Sequence, residues 1–497
     1  MKKHLKLLAL PLIFVVASCA YSGNYAPNYN LVIPEDATLE GNNDEYIPII
    51  ENDYIDPSKV PTSSFSLDSS SSAYTNLRAA INSSSPYIHK NQVIIEQLIN
   101  YFDYDFQTPT EDPVKVYNEV SYCPWNSSSL LASIAVKTKE IDYSETTNNN
   151  YVFLIDVSGS MNSSNKLPLV QYGLNLLVDN LNKNDRVSLV TYSGTSQTLL
   201  KGVAGDNKTR IKNVINGLKA YGSTNGQDAI QRAYSLAKDY FIEGGNNHIL
   251  MATDGDFNVG ISSYTELEKY ILDQKQNNNI SFSTFGFGMG NYKNSNLETL
   301  ALNGDGNVYY VDSESEAERL FSGNISSILK VVAKDAKIQV AFDPEYVSKY
   351  RLIGYENKLM TDEEFENDQE DAGEIYSNKT VIALYEIKLN EDVTPYNTAL
   401  YTTEFKYKDP NQDVMSESHV IKTDTTPFNE SPTFNFIFAS SVAEFALALR
   451  DSKYKEDASY VSVIQRLENL KEVERDPLKL EFLELVRKCI VNEIVAK

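Results

Sequence analysis

Between residues 146 and 333, short apolar runs alternate with helical patterns, and this constrains the fold more than any other feature of the chain. Residues 152–155, 186–192, 248–253, 280–287 and 308–311 have the length and the β-branched and aromatic character of strands. Between them, Leu167, Val170, Leu174, Leu177, Val178 and Leu181 recur at helical spacing, as do Ile211, Val214, Ile215 and Leu218. Strands that alternate with helices form an α/β fold, here a doubly wound, mostly parallel sheet. The link from 186–192 to the next strand at 198–203 is too short for a crossover. That pair is therefore expected to be antiparallel.

In such sheets, ligands gather at the carboxyl ends of the strands. The run 152–155 is apolar throughout, as a strand buried on both faces should be, and it leads into Asp156, Ser158 and Ser160. These place a carboxylate and hydroxyls at alternate positions, with Gly159 allowing a tight turn between them. The strand at 248–253 ends in Asp254, which brings a second carboxylate to the same edge. Between the two strands, a turn at 221–228 opens onto a helix and offers the Thr224 hydroxyl. Oxygens of this kind suit a hard divalent cation. Because every candidate ligand is an oxygen, Mg²⁺ or Mn²⁺ is expected in preference to Zn²⁺.

Phe-Leu-Ile-Asp-Val-Ser-Gly-Ser-Met at 153–161, Gly-Ser-Thr-Asn-Gly at 222–226 and Ala-Thr-Asp-Gly-Asp-Phe-Asn-Val-Gly at 252–260 resemble the von Willebrand factor type A domain. Asp156, Ser158, Ser160, Thr224 and Asp254 match its metal-ion-dependent adhesion site. The chain is more similar still to bacterial YfbK-type lipoproteins. That resemblance extends upstream to 96–104 and downstream to 332–335 and 371–374. It implies that Ser158 and Ser160 bind the ion directly, Asp156 and Asp254 largely through water, and Thr224 in the ligand-ready state. It also implies that a protein partner with an exposed Asp or Glu completes the coordination. Neutral hydroxyl ligands leave the cation short of negative charge, so it remains an electrophile for an outside carboxylate.

The N-terminus reads as an export signal. Lys2, Lys3 and Lys6 precede an apolar stretch at 7–16 that is too short to span a membrane as a mature helix. Val16-Ala-Ser-Cys19 resembles a lipobox, which implies cleavage before Cys19 and a lipid on it. The expected location is the bacterial cell envelope, outside the cytoplasm and tied to a membrane by that lipid alone. At 497 residues the chain is long enough for two or three domains, and a net charge of −24 argues against nucleic acid or an anionic membrane surface as partner.

The expected organisation is a signal and lipobox at 1–19, a flexible tether at 20–72, an N-terminal flanking module at 73–145, the metal-site domain at 146–333, a β-rich module at 334–430 and a helical module at 431–497. Within the flanks, 86–104 suits a helix with Val93, Leu98 and Phe102 inward, and 130–137 alternates like a strand. Strands are expected at 338–342, 381–387, 400–407 and 419–422, and from 433 onward Val442, Phe445, Leu449 and later Leu480, Leu483 and Val486 give a helical periodicity. The flanking β segments are expected to meet beneath the middle domain and to leave its metal edge free. Cys123 and Cys489 are compatible with either a disulfide or buried thiols.

Rival chemistries are weaker. Gly286-Phe-Gly288-Met-Gly290 lacks the G-x-G-x-x-G spacing and reads as a turn. Asn303, Asp305, Asn307 and Glu314 fall at EF-hand spacing, but Val308 stands where that loop needs glycine. The histidines are scattered, without zinc-site spacing. No histidine or lysine presents itself near Ser158 or Ser160 as an activator, so no catalytic residue is assigned and binding is expected rather than turnover. A metal-dependent hydrolase and a purely structural metal site stay open as alternatives.

Overall fold

The computed structural model describes residues 46–67, 69–141, 148–222, 227–255, 261–288, 294–322, 325, 329–396, 399–410 and 416–497. Cys19, the signal and the first part of the expected tether lie outside them. Before the middle domain come β1 (Thr62–Ser66), α1 (Ser72–Asn82), α2 (Ile95–Ile99), β2 (Val114–Tyr122) and β3 (Leu130–Thr138). The domain itself runs β4 (Asn149–Asp156), α3 (Leu167–Asp179), β5 (Arg186–Ser193), β6 (Thr195–Ala204), α4 (Lys208–Asn216), α5 (Gln227–Asp239) and β7 (Asn246–Thr253). It continues with α6 (Ile261–Asn278), β8 (Ser281–Phe287), α7 (Asn294–Leu302), β9 (Val308–Val311) and α8 (Glu314–Phe321). After it come β10 (Val331–Phe342), β11 (Val347–Ile353), β12 (Leu359–Met360), α9 (Asp362–Glu366), β13 (Gly373–Tyr376), β14 (Thr380–Leu389), β15 (Tyr401–Lys408) and β16 (His419–Asp424). The helices α10 (Phe434–Arg450), α11 (Tyr460–Leu467), α12 (Lys471–Arg475) and α13 (Pro477–Val491) complete it.

The domain's sheet has the order β6-β5-β4-β7-β8-β9, parallel except for β6, which pairs antiparallel with β5 at the edge. All of β4 is buried, because successive side chains enter different cores. Tyr151, Phe153 and Ile155 pack with Leu174 and Leu177 of α3 and Ile211 of α4. Val152 and Leu154 pack with Ile230 and Tyr234 of α5. This is the doubly wound sheet that the alternation predicts.

The flanking segments interleave instead of forming separate modules. One sheet, β11-β14-β3-β2, joins strands from both sides of the inserted domain, and a second has the order β12-β1-β10-β15-β16, with β13 also on β10. They share a core that includes Phe65, Ile134, Ile338, Tyr350 and Phe405. On its other face, the first sheet contributes Leu131, Ala135, Ile382 and Leu384 to a core with α1, α2 and the C-terminal helices. The divisions expected at 73–145, 334–430 and 431–497 thus cut through shared cores.

Other expectations also need correction. The described part of the expected tether is not a tether: Ile55 bridges Tyr350, and β1 is paired on both sides. Thr-Ser-Ser-Phe-Ser carries too little apolar signal to read as a strand, and its partners lie far along the chain. The expected helix at 86–104 is only a 3₁₀ turn, Lys90–Gln92, and the short α2, although Val93, Leu98 and Phe102 are buried as expected. Leu480 faces solvent, unlike Leu483 and Val486. Cys123 and Cys489 are buried free thiols, and burial pushes both thiol pKa values up. Among the described residues no helix is long and apolar enough to cross a membrane.

Candidate metal centre

Asp156 is the last residue of β4, and Ile155 is paired with Ala252 of β7. That register places Asp156 beside Thr253 and Asp254 one step beyond, so the parallel sheet itself brings the two carboxylates to one edge. The Ser158 amide donates to Asp156 Oδ1 at 2.8 Å, which curls the chain after the strand and turns both serines toward one another. Their hydroxyl oxygens lie 3.0 Å apart. Thr253 Oγ1 donates to Asp156 Oδ2 at 3.3 Å, fixing the other carboxylate oxygen. Asp156, Ser158 and Asp254 are buried, while Gly159 and Ser160 are exposed. The cluster therefore has a rigid floor and an open rim.

Thr224 lies outside the described residues, but the chain leading to it is docked on this loop. The Tyr221 amide donates to Val157 O at 2.7 Å, and the Gly159 amide donates to Gly222 O at 3.0 Å. Gly222 has φ of +77°, a conformation open to glycine at little cost.

Burial pushes the Asp156 carboxyl up to about 6; hydrogen bonds from Ser158 oppose this, and the Asp254 charge adds to it. A buried acid beside a second carboxylate is a group that a cation would relieve. Among the described residues no set of three or more His, Cys, Asp or Glu side chains is arranged to hold a metal. The candidate centre rests on two carboxylates and two hydroxyls instead, a donor set that fits Mg²⁺ or Mn²⁺ better than Zn²⁺.

The sequence reading passed over Lys166. Its Nζ donates to Asp254 Oδ2 at 2.8 Å, with 10% of the lysine side chain and none of the aspartate exposed. A signal was present: Lys166 directly precedes α3, where a helix N-terminus disfavours a cation. The α1 helix also lies closer to this edge than expected. Arg78 reaches Asp312, just past β9, and Ala79, Asn82 and Ser83 face Asn165 and Tyr310 across a crevice of about 320 Å³. The edge is open at Gly159 and Ser160 but walled on the β9 side.

The sequence comparisons agree with this architecture. The von Willebrand factor type A domain profile matches residues 150–323, a von Willebrand factor profile matches 40–133, and a profile for the C-terminal part of the uncharacterized protein YfbK matches 327–491. The uncharacterized protein YfbK of Escherichia coli strain K12 is 34% identical over 447 residues, which is 86% of this chain and 77% of that protein. The chain belongs to the YfbK family. Inter-alpha-trypsin inhibitor heavy chain H4 of Bos taurus is 28% identical over 39% of this YfbK-family chain, and the match spans 21% of its own length. Among solved structures, the von Willebrand factor type A protein from Catenulispora acidiphila aligns with 78% of this chain and 91% of its own at 12% identity, with a TM-score of 0.45.

Proposed function

We propose that this YfbK-family protein is an envelope lipoprotein, anchored through Cys19, that holds a protein partner by a metal ion at Asp156, Ser158, Ser160, Thr224 and Asp254. The observation that supports this reading most directly is the approach of the Ser158 and Ser160 hydroxyls to 3.0 Å above the buried Asp156, with Ser160 open to solvent. A bound Mg²⁺ or Mn²⁺ would supply an electrophilic centre whose hydroxyl ligands from Ser158 and Ser160 carry no charge. The serines direct hydroxyl oxygens to that position, Asp156 and Asp254 supply charge from below, and the open rim admits an Asp or Glu from a partner.

Calorimetry tests the metal: Asp156→Ala should abolish Mg²⁺ binding, and wild type should not prefer Zn²⁺. Capture from envelope extract in Mg²⁺, compared with EDTA, tests the partner. Thr224→Ala should lose capture as completely as EDTA does, because losing a central charged contact typically costs ~2 kcal/mol or more. Capture that survives both treatments overturns the binding reading, and consumption of a small substrate in its place favours the hydrolase. Cys19→Ala should release the protein from membranes or block its processing; unchanged fractionation and migration would remove the lipid anchor.

A further inference from the structure

Lys166 is held in place more firmly than a surface lysine. Its amide donates to Ser163 O at 3.0 Å, and its carbonyl accepts from Val170 at 2.9 Å, fixing its backbone at the start of α3. Its aliphatic stem crosses Gly288, just past the end of β8. A Cβ at Gly288 would stand 2.3 Å from Lys166 Cε and 2.8 Å from Cγ, so only glycine leaves this path open. The stem thereby delivers the ammonium to Asp254 Oδ2, a side chain with no exposure of its own.

We propose that Lys166 is a built-in counter-cation of the metal centre, setting both how tightly the centre holds a divalent ion and how strongly that ion attracts a carboxylate. The inference rests on the metal reading above. Asp156 and Asp254 together would offer an ion two negative charges; with Lys166 on Asp254, the set offers one. A divalent ion then enters against the repulsion of a nearby ammonium and is held more weakly. Once bound, it leaves the centre with net positive charge where the two carboxylates alone would neutralise it. Lys166 thus exchanges metal affinity for attraction toward an acidic partner, and makes capture depend on the supply of metal.

The test is a calorimetric titration of the full chain with Mg²⁺ alone. A cation so near the ion should matter by at least about tenfold, so Lys166→Met should bind Mg²⁺ roughly ten times more tightly than wild type. Lys166→Arg, which keeps the charge, should stay near wild type, a contrast that a purely structural role would not produce. Thermal melting checks that the variants fold; if Lys166→Met does not, Lys166→Gln, which keeps a donor to Asp254 without the charge, is read in the same way. Asp156→Ala separates the two ideas. If it abolishes binding while neutral substitution of Lys166 leaves affinity unchanged or weaker, the counter-cation role is wrong and the metal reading stands. If Asp156→Ala binds as wild type does, or wild type binds no Mg²⁺, both fall.

Discussion

In the sheet β6-β5-β4-β7-β8-β9, every strand comes from one continuous stretch of chain, whereas in the flanking sheets β3 pairs with β14 and β1 with β10, across the whole inserted domain. The first arrangement closes within itself, and its crossover helices cover both faces. The second exists only when segments from the two ends of the described chain meet. One draws its whole sheet from contiguous chain; the other depends on long-range pairing whose loop-closure entropy must be offset by its contacts.

Removing the chain through Leu67 should have the largest effect. It takes away β1 from between β12 and β10, together with Phe65, which is fully buried against Tyr355 and Tyr385. The flanking module should lose its cooperative transition, while residues 146–333 produced alone should still melt cooperatively. The single tryptophan, Trp125, is buried in the flanking helical core and reports on that module by fluorescence. An intact Trp125 transition after the truncation, or failure of 146–333 to fold, would break the contrast.

Next is the joint between the regions. Arg78 of α1 donates from Nε to Asp312 Oδ2 at 2.8 Å and from Nη2 to Asp312 Oδ1 at 2.6 Å. It also reaches Glu316 at 3.2 Å and, through Nη1, Glu481 of α13 at 2.8 Å. Removing one partner from a buried ion cluster typically costs about 3–5 kcal/mol. Arg78→Ala should lower stability by that order and separate the Trp125 transition from the helical signal in circular dichroism. Coincident transitions in the variant would show that other contacts couple the regions.

The same contrast governs what was legible in sequence. The α/β domain could be read because β4 and β7 contain continuous apolar runs, β8 repeats phenylalanines, and α3 carries a clear apolar stripe. Asp156 and Asp254 were placed at one edge because parallel strands bring their carboxyl ends together. β1 was missed because its signal lies in its partners, and Lys166 because its place before α3 marks an unusual cation without naming Asp254 as its partner. Local patterns encode strands and turns; they do not say which distant strand completes a sheet or which lysine finds a carboxylate.

A moderate effect inside the domain should come from His248 on β7. Burial depresses its pKa to about 3, and its Nε2 lies 2.8 Å from Ser283 Oγ. The unfolded chain takes up this proton below its ordinary pKa of 6.5, whereas the folded domain does not until about 3. The contribution is therefore fully present above pH 6.5 and is lost as pH falls from there toward 3. Wild type should lose about 2 kcal/mol between pH 7 and 5 relative to His248→Gln. If the stability difference between the two proteins does not change with pH, His248 is not held neutral by the fold.

The smallest expected effect joins local and distant signals in one residue. Thr433 caps α10: its Oγ1 accepts from the Phe436 amide at 3.3 Å. This bond belongs to the local pattern that marks where the helix begins. The same hydroxyl donates to Glu119 Oε2 at 2.5 Å, and the Thr433 amide donates to Glu119 Oε1 at 2.7 Å, tying the helix start to β2. Thr433→Ala should cost about 1 kcal/mol, whereas Thr433→Ser, which keeps the oxygen, should cost little. Denaturant unfolding followed through Trp125 measures both. If the cost is local, Thr433→Ala should be equally harmful in a Glu119→Ala background. If the long-range tie contributes, the cost should shrink there, because the hydroxyl has lost one of its partners. We expect the smaller cost: a capping threonine that also anchors a distant strand should show, at the scale of one side chain, the dependence on remote partners that separates the flanking module from the domain it carries.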